Sequence, residues 1–317
     1  MELKYPIEYK TLKKQKYHII GNHSAIKKCR WTHNSLVKNE VCYKETFYGL
    51  KSHRCLQMSP SVIWCTNNCL FCWRIHPQDR SFPFNDLKNI DDPEFILDGC
   101  YNEWKRILSG YKPTSHKKVS WEKWNDAQKP FSIAISLSGE PTLYPKINGL
   151  IEASFKRGLK VFLVSNGTRP DVIETLIPPS QLYISLSAPN EDIYKKTCAP
   201  SYKENWRNLL KSLEYLSSFN CPTVIRLTMV KGLNMSLPEE YAKIILKAEP
   251  TYIECKGYVY VGASRNRGLT LDNMPYHHEI KNFAEKLSKL TNYNILDEHQ
   301  ASRVVLLSKL KKAIKFK

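Results

Sequence analysis

A chain of 317 residues, 42% of them hydrophobic and 25% charged, is long enough for one large α/β domain or two ordinary ones, and its balance excludes a mostly disordered polymer. Lysine and arginine number 48 against 30 acidic residues, a net charge of +18; this fits a polyanionic partner, nucleic acid before membrane, or else a solvated surface adapted to salt or heat. No apolar run reaches membrane-spanning length and the opening stretch, residues 1–16, lacks the apolar core of a signal peptide. A cytoplasmic protein is therefore expected, whose ten cysteines stay reduced and point to metal rather than disulfides.

Taken in chain order, residues 1–57 carry Cys29, Cys42 and Cys55, with twelve residues between neighbours. The spacing leaves two readings open: a three-cysteine cluster site with one iron free, or three unrelated thiols. Lys27, Lys28, Arg30, His33, Lys38, Lys44, Lys51 and Arg54 crowd the same stretch, so it cannot build much of a core, and a cluster would also staple it. Pro60–Cys65 reads as a short buried strand feeding a loop. That loop is Cys65-Thr66-Asn67-Asn68-Cys69-Leu70-Phe71-Cys72, a C-x3-C-x2-C pattern with an aromatic before the third cysteine.

Three thiolates can wrap three corners of a 4Fe–4S cubane and leave the fourth iron open, whereas a closed electron-transfer cluster takes four. The bland alternative is a zinc knot completed by His76, although zinc is usually held by four ligands in paired hooks. The segment resembles the signature of the radical S-adenosylmethionine (SAM) superfamily. That resemblance implies that the open iron chelates the amino and carboxylate groups of SAM, with Phe71 beside the cofactor. It also implies that one electron from the cluster cleaves SAM to methionine and a 5′-deoxyadenosyl radical.

Apolar residues from Asp91 to Leu108 recur at helical spacing, with Cys100 on the buried stripe. The basic loop Gly110–Lys118, followed by Trp121 and Trp124, suits RNA phosphates and unpaired bases, or is a solvated edge. Strands are expected at Phe131–Leu137, Lys160–Val164, Tyr183–Ser187, Thr223–Met229 and Thr251–Tyr258. Helical segments are expected at Ile147–Arg157, Pro170–Leu176, Trp206–Phe219 and Pro238–Ala248. This alternation indicates βαβ units and a parallel sheet. The fold class is therefore α/β, a partial (βα)6 TIM-like barrel with an N-terminal cluster-binding extension and a basic C-terminal extension. A helix over Phe283–Leu290, a small β addition at Ile295–Asp297 and Val304–Leu307, and the basic run Lys309–Lys317 complete the chain. Three segments result: 1–57 for an auxiliary cluster, 58–260 for the barrel, and 261–317 closing the barrel and contacting RNA.

The strand ends carry the remaining chemistry. Gly139-Glu140-Pro141 resembles the superfamily's glycine–glutamate motif, in which the glycine admits the cofactor and oxygens accept from its ammonium. Asn166 and Ser187 suit ribose and carboxylate, and Arg226 suits bidentate pairing with that carboxylate. Each is otherwise an ordinary turn residue or an internal hydrogen bond.

Two three-cysteine sets in this order, followed by Gly-Glu-Pro-Thr and Ser-Asn-Gly-Thr, are similar to the archaeal tRNA 4-demethylwyosine synthases over nearly the whole chain. The resemblance implies two 4Fe–4S clusters, SAM, and condensation of N1-methylguanosine beside the anticodon of tRNA-Phe with pyruvate. The anticodon arm gives the positive charge a purpose, and the target base must be flipped out to be reached. Pyruvate is held either by the free iron of the auxiliary cluster or as a Schiff base on a lysine, Lys44 first and Lys256 second. No stretch is left over for a flavodoxin-like domain, so an external electron donor, ferredoxin or flavodoxin, is expected, with the protein a monomer. Two alternatives stay open at this point: a radical SAM enzyme with an auxiliary cluster acting on another RNA or a peptide, and a non-enzymatic zinc RNA-binding protein.

Overall fold

A computed structural model describes residues 6–76, 87, 89–115 and 118–317. The chain forms α1 (Pro6–Lys14), β1 (His18–Ile20), β2 (Ser24–Ile26), α2 (Arg30–Lys38), α3 (Tyr43–Tyr48) and β3 (Cys55–Ser59). It continues through α4 (Pro93–Ser109), α5 (Trp121–Ala127), β4 (Ser132–Ile135), α6 (Ile147–Lys156) and β5 (Lys160–Ser165). Next come α7 (Pro170–Glu174), β6 (Gln181–Ser185), α8 (Glu191–Cys198), α9 (Asn205–Glu214), β7 (Thr223–Met229), α10 (Pro238–Ala248), β8 (Tyr252–Gly257), α11 (His277–Thr291), β9 (Asn294–His299) and β10 (Val304–Ser308).

Packing groups these elements into two compact units. One compact unit comprises the described residues of Met1–Trp64, Asn85–Leu163 and Lys315–Lys317; the other comprises those of Cys65–Phe84 and Val164–Ile314. In the first unit β1, β2 and β3 are antiparallel neighbours, and β3, β4 and the first four residues of β5 run parallel, with Leu56 opposite Ile133 and Ile133 opposite Val161. Leu56, Met58, Ile133, Ile135, Val161, Phe162 and Leu163 are all buried, the near-continuous apolar run that parallel strands covered on both faces require. Helix α4 starts at Asp92 with Pro93 in its first turn and buries Ile96, Leu97, Cys100, Trp104 and Leu108. Cys100 is thus the core residue that its place on the stripe indicates.

In the second unit β6, β7 and β8 run parallel, with Ile184 opposite Ile225 and Ile225 opposite Ile253; β10 then joins β8 antiparallel and carries β9 on its other edge. The mixed α/β class with parallel strands stands as expected. One boundary does not. The strand expected at Pro60–Cys65 lies five residues earlier, at Cys55–Ser59. Pro60 has no N–H to continue a ladder, and Val62, Ile63 and Trp64 bury themselves in the turn that follows, where the Val62 N–H donates to His23 O at 2.9 Å.

Candidate active site

The C-x3-C-x2-C loop is held by the second unit through its asparagines. Asn67 Oδ1 accepts from Tyr194 Oη at 3.0 Å and from Asn205 Nδ2 at 3.1 Å; Asn205 Nδ2 also donates to Thr66 O at 2.9 Å. Asn68 N donates to Cys198 O at 2.9 Å and Leu70 N to Thr197 O at 3.0 Å, so the loop takes up carbonyls at the end of α8. After the third cysteine, Arg267 donates to the carbonyls of Cys72 and Arg74, and Ala263 N donates to Trp73 O. Gly262 has φ +63°, and a Cβ there would lie 2.2 Å from Trp73 O, so only glycine lets the two backbones meet. Phe71 packs against Val230, Tyr258 and Leu269.

Cys65, Cys69 and Cys72 are half-buried and not joined in disulfides. Burial pushes the Cys72 thiol up, but a hydrogen bond from His76 and the charges of His76 and Arg74 leave it below its ordinary value. Cys69 is held well above its own by the adjoining Cys198 thiol and by burial. Asn166 donates to Thr66 Oγ1 at 2.8 Å and to Cys65 Sγ at 3.7 Å, which places it at the first cysteine. Three sulfur donors, one already biased toward thiolate, match what an iron–sulfur cluster asks of a protein. Among the described residues no three His, Cys, Asp or Glu side chains converge as on one metal ion; cysteines on separate corners of a cubane stand wider apart than that.

Gly139 lies in the first unit at φ +67°, where a Cβ would be 1.8 Å from Ser61 O and 2.5 Å from Trp64 O. It lets the end of β4 lie against the turn that leads to Cys65, and Glu140 N donates to Trp64 O at 2.7 Å. The buried Glu140 carboxylate accepts from Thr142 N at 3.1 Å and Thr142 Oγ1 at 2.8 Å. In the second unit Ser187 O accepts from the buried Asn234 at 2.7 Å. Arg226 is paired with Glu254, directly across from it on β8: Nε and Nη2 reach Oε2 at 3.1 and 2.9 Å, with the guanidinium 4.6 Å from the Tyr183 ring. This is an internal pairing of the kind that the sequence left open beside a role with the cofactor carboxylate. Lys256 donates from Nζ to Ser302 O at 2.8 Å.

The first unit brings Cys29, Cys42 and Cys55 together. Cys29 and Cys42 are the N-caps of α2 and α3, and Cys55 opens β3. Burial, then the neighbouring Cys29, push the Cys42 thiol up to about 12, while Lys44 and, weakly, Cys55 act on it in opposite directions. Cys55 is raised chiefly by burial and pulled back by a Ser132 hydrogen bond and by Lys44. Three thiols and one lysine thus share a single electrostatic neighbourhood. Lys44 is buried on α3, with its ammonium 4.9 Å from the centre of the Phe162 ring. The sequence picked Lys44 only for its nearness to Cys42; Phe162, 118 positions on, gave no signal.

The basic, aromatic stretch has a face of its own in the first unit. Lys28 lies over Tyr111, His33 Nδ1 meets Tyr111 Oη at 2.8 Å, and Lys112 lies 5.9 Å from the exposed ring of Trp121. Trp124 is anchored by its Nε1 to Leu108 O at 2.9 Å. His116 and Lys117 of the expected loop fall outside the described residues. Sequence reasoning missed Asn67, Asn205 and Arg267, because their partners lie far along the chain.

Residues 60–245 match the radical SAM superfamily model, and residues 247–309 match a model described as wyosine base formation. The tRNA 4-demethylwyosine synthase of Pyrococcus abyssi is 46% identical over 93% of this chain and 86% of its own length. The chain belongs to the radical SAM superfamily and to its tRNA 4-demethylwyosine synthases. Another member of the family, from Methanocaldococcus jannaschii, is 40% identical over 94% of each chain. A solved structure of TYW1 with a bound lysine–pyruvate adduct superposes with a TM-score of 0.86 at 38% identity, over 97% of this chain and 96% of the other. Family membership makes the chain a radical SAM enzyme of α/β fold, with SAM and a 4Fe–4S cluster as the superfamily's cofactors. No helix among the described residues is long and apolar enough to cross a membrane.

Proposed function

We propose that the protein condenses N1-methylguanosine beside the anticodon of tRNA-Phe with pyruvate to give 4-demethylwyosine, and that Lys44 carries pyruvate as a Schiff base. The observation behind this is Lys44 itself: a buried amine resting on Phe162, in the electrostatic neighbourhood of Cys29, Cys42 and Cys55. A relative of known structure holds a lysine–pyruvate adduct. Lys256, the other candidate, is engaged with Ser302 O.

In this reading Cys65, Cys69 and Cys72 hold the superfamily cluster, and Cys29, Cys42 and Cys55 hold a second. Phe71, Asn166, Ser187 and Arg226 of the second unit are assigned to SAM, Arg226 through the orientation its pair with Glu254 imposes, while Gly139 and Glu140 of the first unit shape the turn that leads to Cys65. When bound, cluster and SAM together supply a 5′-deoxyadenosyl radical able to take hydrogen from the N-methyl group of the base. The chain's own task is to hold the second substrate. Lys44 adds to the keto carbon of pyruvate and expels water, so that this carbon is fixed where the methyl carbon must join it. The methyl-carbon radical adds to the imine carbon, the carboxyl group departs as carbon dioxide with one electron returned to the one-electron carrier so that the imine is restored, and the guanine amine then attacks the imine carbon, closing the new ring as the Lys44 amine leaves. Phe162 keeps the lysine from wandering, and burial keeps bulk water from hydrolysing the imine. Lys28, Lys112 and Trp121 offer phosphate and stacking contacts for the anticodon arm. An external one-electron donor such as ferredoxin or flavodoxin, a cytoplasmic location and a monomeric state complete the reading.

Borohydride reduction in the presence of labelled pyruvate tests it. Wild type and Lys256→Ala are expected to retain one label per chain, and Lys44→Ala none; an unchanged adduct on Lys44→Ala would remove Lys44 from the mechanism.

A further inference from the structure

Helix α3 has only six residues, so its last carbonyls lack partners within the helix, and a helix this short does not hold itself together in water. Gly49, at φ +79°, returns its N–H to Glu45 O at 2.9 Å. Two further carbonyls are met from the far end of the sequence. Lys315 Nζ donates to Thr46 O, 269 positions away, and the Phe316 N–H donates to Tyr48 O at 2.8 Å. Gly49 faces the same segment: a Cβ there would stand 3.4 Å from Phe316 O and 3.7 Å from Lys315 Cβ.

The Phe316 side chain goes to the ring that carries Lys44. Its ring meets Phe162 edge to face, 5.2 Å between centroids at 78°, and Phe162 is the ring on which the Lys44 ammonium rests at 4.9 Å. Phe162 is fully buried and fixed on β5, so it transmits position rather than absorbing it. Lys315 and Phe316 therefore hold both the C-terminal end of the helix bearing Lys44 and the platform beneath its amine. All of these residues lie in one compact unit.

We propose that Lys315–Phe316 is a positioning clamp for Lys44, setting the amine for attack on the keto carbon of pyruvate. This rests on the reading that Lys44 forms the Schiff base. The clamp touches no reacting atom, and its effect is on geometry. A nucleophile displaced by a fraction of an ångström loses rate without loss of fold.

The experiment measures borohydride trapping of labelled pyruvate by Phe316→Ala, Phe316→Tyr, Lys315→Met and Lys44→Ala, alongside iron per chain, melting temperature and SAM cleavage without RNA. Phe316→Ala is expected to trap roughly 2- to 10-fold more slowly, the range set by loss of one aromatic pair. Its KM for pyruvate should rise and its melting temperature fall by only a few degrees, about what one aromatic pair is worth, with iron and SAM cleavage at wild-type values. Phe316→Tyr, which keeps the edge-to-face contact, should restore the rate, and Lys315→Met should lie between. Trapping at the wild-type rate in Phe316→Ala overturns the clamp, as does slow trapping that appears only with loss of iron, which would make Phe316 a prop of the fold. Trapping that survives in Lys44→Ala overturns the parent reading instead, so the two failures are distinct.

Discussion

The chain holds two sets of three cysteines, and they are built in opposite ways. Cys65, Cys69 and Cys72 lie on one loop, pinned by asparagines and by carbonyls at the end of α8. Cys29, Cys42 and Cys55 come from two helix N-caps and the start of a strand, and only the packed first unit brings them together. The contiguous set owes only its spacing to local sequence and is pinned by remote partners, whereas the dispersed set owes even its spacing to tertiary structure. The first suits a cofactor site shared across a superfamily of many reactions. The second has the buried Lys44, the lysine proposed above to carry pyruvate, in its electrostatic neighbourhood.

The sharpest way to break this contrast is to remove one cysteine from each set. Cys69→Ala is expected to abolish SAM cleavage and base formation alike, a loss of at least about 10³-fold on the scale of essential catalytic groups. Cys42→Ala should still cleave SAM, measured as 5′-deoxyadenosine, while base formation falls below detection. Equal loss of both activities in the two variants would dissolve the division of labour.

Gly139→Ala sharpens the comparison. A Cβ at φ +67° would strike Ser61 O and Trp64 O, the turn that delivers Cys65. The expected cost is about 2–4 kcal/mol by chemical denaturation, with SAM cleavage impaired more than pyruvate trapping on Lys44. A wild-type midpoint in this variant would show that the close approach is dispensable.

These differences also explain what could be read in advance. The C-x3-C-x2-C pattern and the strand Thr223–Met229 were legible because each is set by adjacent residues, a ligand spacing in one and an apolar run in the other. The short helices α2 and α3 were not, because α2 is polar and basic, α3 spans only six residues, and helices this short draw their stability from packing and tertiary contacts. The displaced strand Cys55–Ser59 has the same cause: Val62, Ile63 and Trp64 look like strand residues, and burial in a turn satisfies them equally well. Arg226 was read from residue type alone, whereas its pairing with Glu254 follows from strand register, which one strand cannot reveal. Lys44 was put forward for its nearness to Cys42, whereas its neighbours Phe162 and Phe316 lie too far along the chain to be inferred.

A thiol outside both sets gives the smallest effect and a control on burial. Burial pushes Cys221 from 9.0 up to about 11. A raised thiol stabilises the fold while protonated, and that contribution is lost as pH rises from about 9 toward 11. Wild type should therefore lose about 1–2 kcal/mol more than Cys221→Ala across that window in denaturant titrations; parallel pH profiles would show that Cys221 does not feel the interior.

The most direct test of the central claim is iron and acid-labile sulfide per chain after anaerobic reconstitution, in wild type and in Cys29/Cys42/Cys55→Ala. About eight irons falling to about four, as two cubanes require, is the result expected if the dispersed cysteines hold a second cluster. About four irons in both proteins would contradict it, leaving one cluster on the contiguous loop and three thiols with no metal to hold.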